Sequence, residues 1–193
     1  MIIRKLYEFE NAHIVRLCGS KRCRTSIHGH SYRCEILLSS NFLDEAGMVY
    51  DFGYMKLGIR ELIDSFDHAT TIYAHDDAGY IADLKKHSAR WVQIPLNPSA
   101  EQFCRIFFVL VDRLLSLTQM QNGEREVKLH SVIVHETDTG YAQCFREDAY
   151  NAKMGEVNLN EVVFSEGVRA EWEDEELFEK IKLGKKIVNP KEV

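Results

Sequence analysis

Polar and apolar residues alternate from Ile2 to Phe9, with Ile3, Tyr7 and Phe9 on one face and Ile2 and Leu6 on the other. That two-residue period predicts a β-strand with neither face fully bare. His28 to Leu38 predicts a second strand, Val127 to His135 a third, and Gly140 to Phe145 a last one antiparallel to it. Met55, Ile59, Leu62, Ile63 and Phe66 fall at helical spacing, which predicts a helix over about 54–66 with an apolar stripe suited to packing on a sheet. A longer helix is expected from Ser99 to about Thr118, opened by Pro98 and by a capping box of Ser99 and Gln102. Phe103, Ile106, Phe107, Leu110, Leu114 and Leu117 form its core face, and Cys104, Phe108, Val111 and Leu115 widen the apolar arc. An arc that wide predicts a second contact, with another subunit among the candidates for it. Residues 41–49 and 69–97 read as connectors, and Glu171 to Lys182 as a helix in a C-terminal extension.

The resulting order is β-β-α-α-β-β plus the extension. Strands and helices are grouped, not alternating, so an α+β fold with an antiparallel sheet is expected. A chain of 193 residues suits one domain with a sizeable core. Its net charge of −6 supplies no field to attract nucleic acid or an anionic membrane surface. No apolar stretch approaches membrane-spanning length. Five irregularly spaced cysteines argue against a disulfide framework and for a reducing, cytoplasmic setting.

The chemistry concentrates at Cys23 and His28-Gly29-His30. On a strand, His28 and His30 point to the same face with Gly29 opposite, so the two imidazoles can share a metal ion. His13, at the end of the first strand, offers a third ligand. Three protein ligands with an open position make a catalytic zinc site; Cys18 as a fourth ligand would make a closed, structural one. Lys21, Arg22 and Arg24 surround Cys23, and nearby positive charge favours the thiolate, so Cys23 is a candidate nucleophile or base. The same three cations form either a local anion site or a solvated basic turn.

Glu136 continues the apolar face of Val132 and Val134. An unpaired carboxylate there is costly, so Glu136 is either a ligand-binding group or half of a buried salt bridge. Asp67-His68 follows the first predicted helix, where it serves either catalysis or the helix dipole. Asp51 is expected to complement a helix N-terminus, and His75-Asp76-Asp77 to be a solvated polar loop.

Six blocks along residues 1–146 resemble one family in the right order. They are Phe9-Glu10-Asn11-Ala12-His13, Cys23 with His28-Gly29-His30, Asp51-Phe52-Gly53, Phe66-Asp67-His68, Asn97-Pro98-Ser99-Ala100-Glu101 and His135-Glu136-Thr137. The family is that of the 6-pyruvoyl- and 6-carboxytetrahydropterin synthases. The resemblance implies a tunnelling (T) fold catalytic domain over 1–146, with 147–193 as an extension packed on the same domain. It implies a homohexamer made of two trimers, with active sites between subunits. It implies Zn2+ on His13, His28 and His30, Cys23 as proton-abstracting base, Asp67 and His68 as a relay from a neighbouring subunit, and Glu136 as anchor of a pterin triphosphate. Carboxy-forming members usually have three residues between cysteine and H-G-H and animal pyruvoyl-forming members five; this chain has four, with Cys18 as a rival thiol. The single-domain, bacterial-like layout points to the carboxy-forming branch and queuosine biosynthesis.

Overall fold

The computed structural model describes residues 1–193. Strands β1 (Ile2–His13) and β2 (His28–Ser39) form a long antiparallel hairpin that runs from Ile2 opposite Ser39 to His13 opposite His28. Between them lies the short helix α1 (Lys21–Thr25). A 3-10 turn, Tyr54–Lys56, leads into α2 (Gly58–Asp64). The stripe read as one helix is therefore broken at Leu57, whose backbone leaves helical geometry (φ −85°, ψ −131°).

The 69–97 segment is not a connector. It folds as β3 (Ala69–Tyr73), α3 (Ala78–His87) and β4 (Trp91–Ile94). β3 pairs parallel with the end of β1 and with β4, and α3 is the crossover that two adjacent parallel strands require. Helix α4 (Ala100–Leu117) and the two-residue β5 (Thr118–Gln119) follow, then β6 (Lys128–Thr137) and β7 (Gly140–Cys144). The extension holds α5 (Arg146–Ala149), β8 (Val163–Phe164), α6 (Glu166–Arg169), α7 (Leu177–Leu183) and β9 (Ile187–Val188). The main sheet has the order β7-β6-β2-β1-β3-β4-β8. The expected antiparallel set is its β7-β6-β2-β1 half, and the correction is that parallel strands extend the β1 edge.

One face of the sheet carries the core. Tyr7, Phe9, Asn11 and His13 of β1 and Tyr32, Cys34, Ile36 and Leu38 of β2 are buried toward the helices. The other face is mixed: Ile2 and Leu6 are exposed on it beside polar groups such as Glu35, which is bonded to Arg4 (2.8 Å) and His135 (2.7 Å). The wide arc of α4 is covered by this same chain, so the second contact is not another subunit. Phe108 meets Tyr150 edge-on, the Cys104 thiol donates to the Ala142 carbonyl (3.0 Å), and Leu114 and Leu115 share a cavity wall with Leu177. Arg105, buried on α4, ties the start of the extension down. Its guanidinium donates to the carbonyls of Asp148, Ala149, Asn151, Met154 and Gly155 and to Gln102 Oε1. Phe164, Trp172, Leu177, Phe178 and Ile181 complete the common core. The helix expected over 171–182 begins only at Leu177.

Candidate active site

The β1–β2 register brings the histidines together. His13 lies opposite His28 and Asn11 opposite His30, so all three rings share the helix-facing side at one end of the hairpin. Gly29 keeps the strands close: a methyl group there would sit 3.2 Å from the Asn11 carbonyl oxygen. His13 is fully buried, and its Nδ1–H donates to the Pro98 carbonyl at 2.6 Å. His28 Nδ1–H donates to the Ser26 carbonyl at 3.0 Å. Carbonyls only accept, so both rings keep the Nε2 lone pair for a ligand, the usual outer-shell device of metal-binding histidines. One ring nitrogen from each of His13, His28 and His30 lies within 4.8 Å of the others, so the group can hold a metal ion. Burial lowers the His13 pKa to about 4, and burial also lowers that of His30, partly offset by Glu136. Both are therefore neutral near pH 7, the state that binds metal. Phe103 stacks on His13 with centroids 6.1 Å apart, and Tyr32 meets it edge-on at 6.0 Å.

Glu136 sits at the rim of this cluster. The β6–β7 register shifts between His135 and Thr137, a bulge that frees Glu136 from the ladder and re-aims its side chain. Its Oε1 is 3.9 Å from Nε2 of both His13 and His30 and accepts a hydrogen bond from the Tyr32 hydroxyl (3.2 Å). No lysine or arginine lies within salt-bridge distance, so the alternative of a buried salt bridge with one of those cations does not hold. Burial, then the Glu136 charge and hydrogen bond, raise the Tyr32 pKa and keep the phenol protonated as donor.

The segment before β2 holds the thiols. Cys23 lies in α1, a one-turn helix in what reads from sequence as an irregular loop, and none of its five residues is buried. The Cys23 carbonyl accepts from the Val15 amide (3.1 Å). The Cys18 thiol bonds its own loop, at the Ser20 carbonyl (3.3 Å). Of the three cations, Arg24 is engaged by the loop carbonyls of Gly19 (3.1 Å) and Cys18 (3.5 Å), while Lys21 and Arg22 are exposed.

Asp67 and His68 form a bonded pair on a different face. His68 Nδ1–H donates to Asp67 Oδ2 (2.8 Å), and Asp67 Oδ1 accepts from the Glu10 amide (2.7 Å). Arg90 Nε donates to the Asp67 carbonyl (3.0 Å). His68 takes a left-handed backbone (φ +50°), and its side chain is 74% exposed. It lines a cleft of about 350 Å³ with Glu10, Gly29, His30, Ser31 and Thr70. Glu10, Gly29 and Ser31 alternate with the buried positions, so this cleft opens on the sheet face opposite the histidine rings. Within one chain no hydrogen bond joins the pair to the histidine cluster, although His30 also borders the cleft.

His75, Asp76 and Asp77 have separate tasks. Asp76 pairs with Arg16 (2.8 Å), Asp77 caps α3 at the Tyr80 amide (2.8 Å), and His75 is 3.4 Å from Glu161. Asp51 accepts from the Gly53 amide (2.7 Å), so it closes a turn ahead of the helical segment. Sequence reading passed over Tyr32, although it shares the parity of His28 and His30 on one strand. It also passed over the Pro98 and Ser26 carbonyls, which carry no side-chain signal.

A helix-backed sheet whose first hairpin ends in a histidine cluster able to hold a metal ion defines this as a T-fold protein. An uncharacterised protein from Wolinella succinogenes has the same fold (TM-score 0.61, 22% identity, covering 76% of this chain and 98% of that one). So does Caenorhabditis elegans 6-pyruvoyl tetrahydropterin synthase (TM-score 0.51, 20% identity, 75% of this chain and 94% of that one). Residues 2–147 match the family 6-pyruvoyl tetrahydropterin synthase. The 6-carboxy-5,6,7,8-tetrahydropterin synthase of Helicobacter pylori strain J99 is 38% identical over 182 residues, 94% of this chain and 91% of that one. The chain belongs to the 6-pyruvoyl tetrahydropterin synthase family. None of its helices is long and apolar enough to cross a membrane.

Proposed function

We propose that this protein is a zinc-dependent lyase that converts 7,8-dihydroneopterin triphosphate and water to 6-carboxytetrahydropterin, acetaldehyde and triphosphate, a step toward 7-deazaguanine and queuosine. The observation that carries the reading is Glu136 held 3.9 Å from His13 and His30 at the rim of the histidine cluster. That places a recognition carboxylate beside a metal-binding centre, in a chain 38% identical to a relative named for this activity.

His13, His28 and His30 would hold Zn2+ with three neutral donors, which suits the borderline-soft ion and leaves a position open. When bound, zinc polarises substrate hydroxyls and acidifies the protons beside them. Glu136 accepts from the 2-amino and ring N–H groups of the pterin, and Tyr32 fixes the carboxylate for that task. Cys23 is the base that moves a proton off the substrate side chain. Asp67 orients His68 through Nδ1, which leaves Nε2 to give or take the partner proton. Because that pair opens on the opposite sheet face, it serves the metal centre of a neighbouring subunit in a homohexamer, not its own. Lys21 and Arg22, exposed beside Cys23, are available to the triphosphate.

The test is to incubate zinc-loaded protein with 7,8-dihydroneopterin triphosphate, identify the pterin by mass spectrometry and assay acetaldehyde. Carboxytetrahydropterin with acetaldehyde is expected. Pyruvoyl-tetrahydropterin without acetaldehyde would replace the reading with triphosphate elimination, and tight pterin binding without turnover would replace it with a binding module.

A further inference from the structure

The thiol segment lacks the means by which most helices are fixed. No residue of α1 is buried, so no apolar packing positions Cys23. What ties it to the rest of the chain is polar and comes from two neighbours: the Val15 amide donates to the Cys23 carbonyl (3.1 Å), and Arg16 reaches the residue after it. The Arg16 guanidinium donates through Nε to both oxygens of Asp76 (2.8 and 3.0 Å) and through Nη1 to the Arg24 carbonyl, the residue after Cys23 (3.2 Å). Its plane lies over the Tyr80 ring at 5.1 Å, and its side chain is 28% exposed against 8% for Asp76. The Arg16 backbone is gripped at both ends. Its amide donates to Asn97 Oδ1 (2.9 Å), and Asn97 Nδ2 donates to its carbonyl (2.5 Å).

Asp76, Tyr80 and Asn97 all belong to the β3–α3–β4 segment or its exit. β3 and β4 bury Ile72, Val92 and Ile94, but α3 buries no residue of its own, so core packing does not explain the helix. The same exit loop holds His13 through the Pro98 carbonyl. One rigid stretch therefore fixes a metal ligand through Pro98 and the thiol segment through Asn97 and Arg16.

We propose that Arg16, anchored by Asp76 and Asn97, is the positioning residue for the Cys23 thiol, and that the β3–α3–β4 segment is the scaffold on which the thiol segment is set. The inference rests on the proposed role of Cys23 as base and adds what sets its place. Arg16 acts through the Arg24 carbonyl and the loop backbone and touches no reacting atom.

The experiment compares Arg16→Gln, Asp76→Asn and Asp76→Glu in the full-length, zinc-loaded protein. Readouts are steady-state kinetics, zinc content, melting temperature and hydrogen exchange of the amides at 18–26. Arg16→Gln and Asp76→Asn are expected to lower kcat by roughly 10- to 100-fold, the scale of a small misplacement of a reacting group, with KM little changed. Exchange at 18–26 should quicken while β2, α4, zinc content and melting temperature stay as in the parent. Asp76→Glu, which keeps a carboxylate for Nε, should recover most of kcat. Parent-like kcat and exchange in Arg16→Gln would overturn the proposal. So would loss of zinc or of global stability in that variant, which would mark Arg16 as a general structural residue. Cys23→Ala with parent activity would instead overturn the role of the thiol, whatever the exchange shows.

Discussion

The histidine end of the β1–β2 hairpin and the thiol segment that joins its strands are held by different physics. His13 has no exposed side-chain surface, is stacked on the fully buried Phe103, and is part of the strand ladder. Cys23 sits in a five-residue helix with nothing buried and is fixed by hydrogen bonds alone. The difference suits the two tasks proposed for them. Metal ligands must not move, and a packed strand holds them at little cost in flexibility. A proton-moving group beside an open site needs access, and a polar loop on a rigid support supplies it.

Perturbations can sharpen that contrast. The largest effect is expected at the histidines: His28→Ala should abolish metal binding and turnover together, measured by metal content and product formation. Phe103→Ala should come next, because removing a buried phenylalanine costs about 3–5 kcal/mol, read as a fall in melting temperature. Lys21→Ala, in the thiol helix, should change stability by no more than about 0.5 kcal/mol. A pH scan tests the buried ring itself. In metal-free protein the folded-state pKa of His13 is about 4 against an ordinary value of 6.5, so the unfolded chain takes up the proton first as pH falls. Stability contributed by neutral His13 is present above about pH 6.5 and is lost progressively toward pH 4, by about 3 kcal/mol in all. A melting temperature that is flat across that window would contradict the burial argument. The smallest effect is expected for charge reversal at Lys21 and Arg22, which should raise KM for the triphosphate substrate and leave melting unchanged; an unaltered KM would remove these residues from substrate binding.

Much of this architecture is legible from sequence, and the reasons are local. β1, β2 and β6 show a two-residue period because one face meets the helices and the other is open, and α4 announces itself by its cap and a nearly continuous apolar surface. The alternation of His28, His30 and Tyr32 already places three site residues on one side of a strand. What escaped reading lacks such contrast. β3 and β4 have five and four residues, and α3 buries none, so neither period stands out. The wide arc of α4 announces a second contact without naming the partner; the partner proves to be the chain's own Tyr150 and Leu177. Backbone carbonyls such as those of Pro98 and Ser26, and the bulge at Glu136, are set by register and turn geometry that no residue type encodes.

The proposed function pairs Asp67 and His68 with the histidine cluster of a neighbouring subunit. Subunit mixing tests this most directly. Cys23→Ala and His68→Ala proteins, each inactive alone, are unfolded together, reassembled and assayed for pterin product against each variant reassembled by itself. The account predicts that mixed oligomers regain a substantial part of parent activity, because some interfaces join an intact metal-and-thiol half to an intact Asp67–His68 pair. Mixed oligomers as inactive as either parent variant, with mixing verified by mass, would contradict it and place both halves of the relay within one chain.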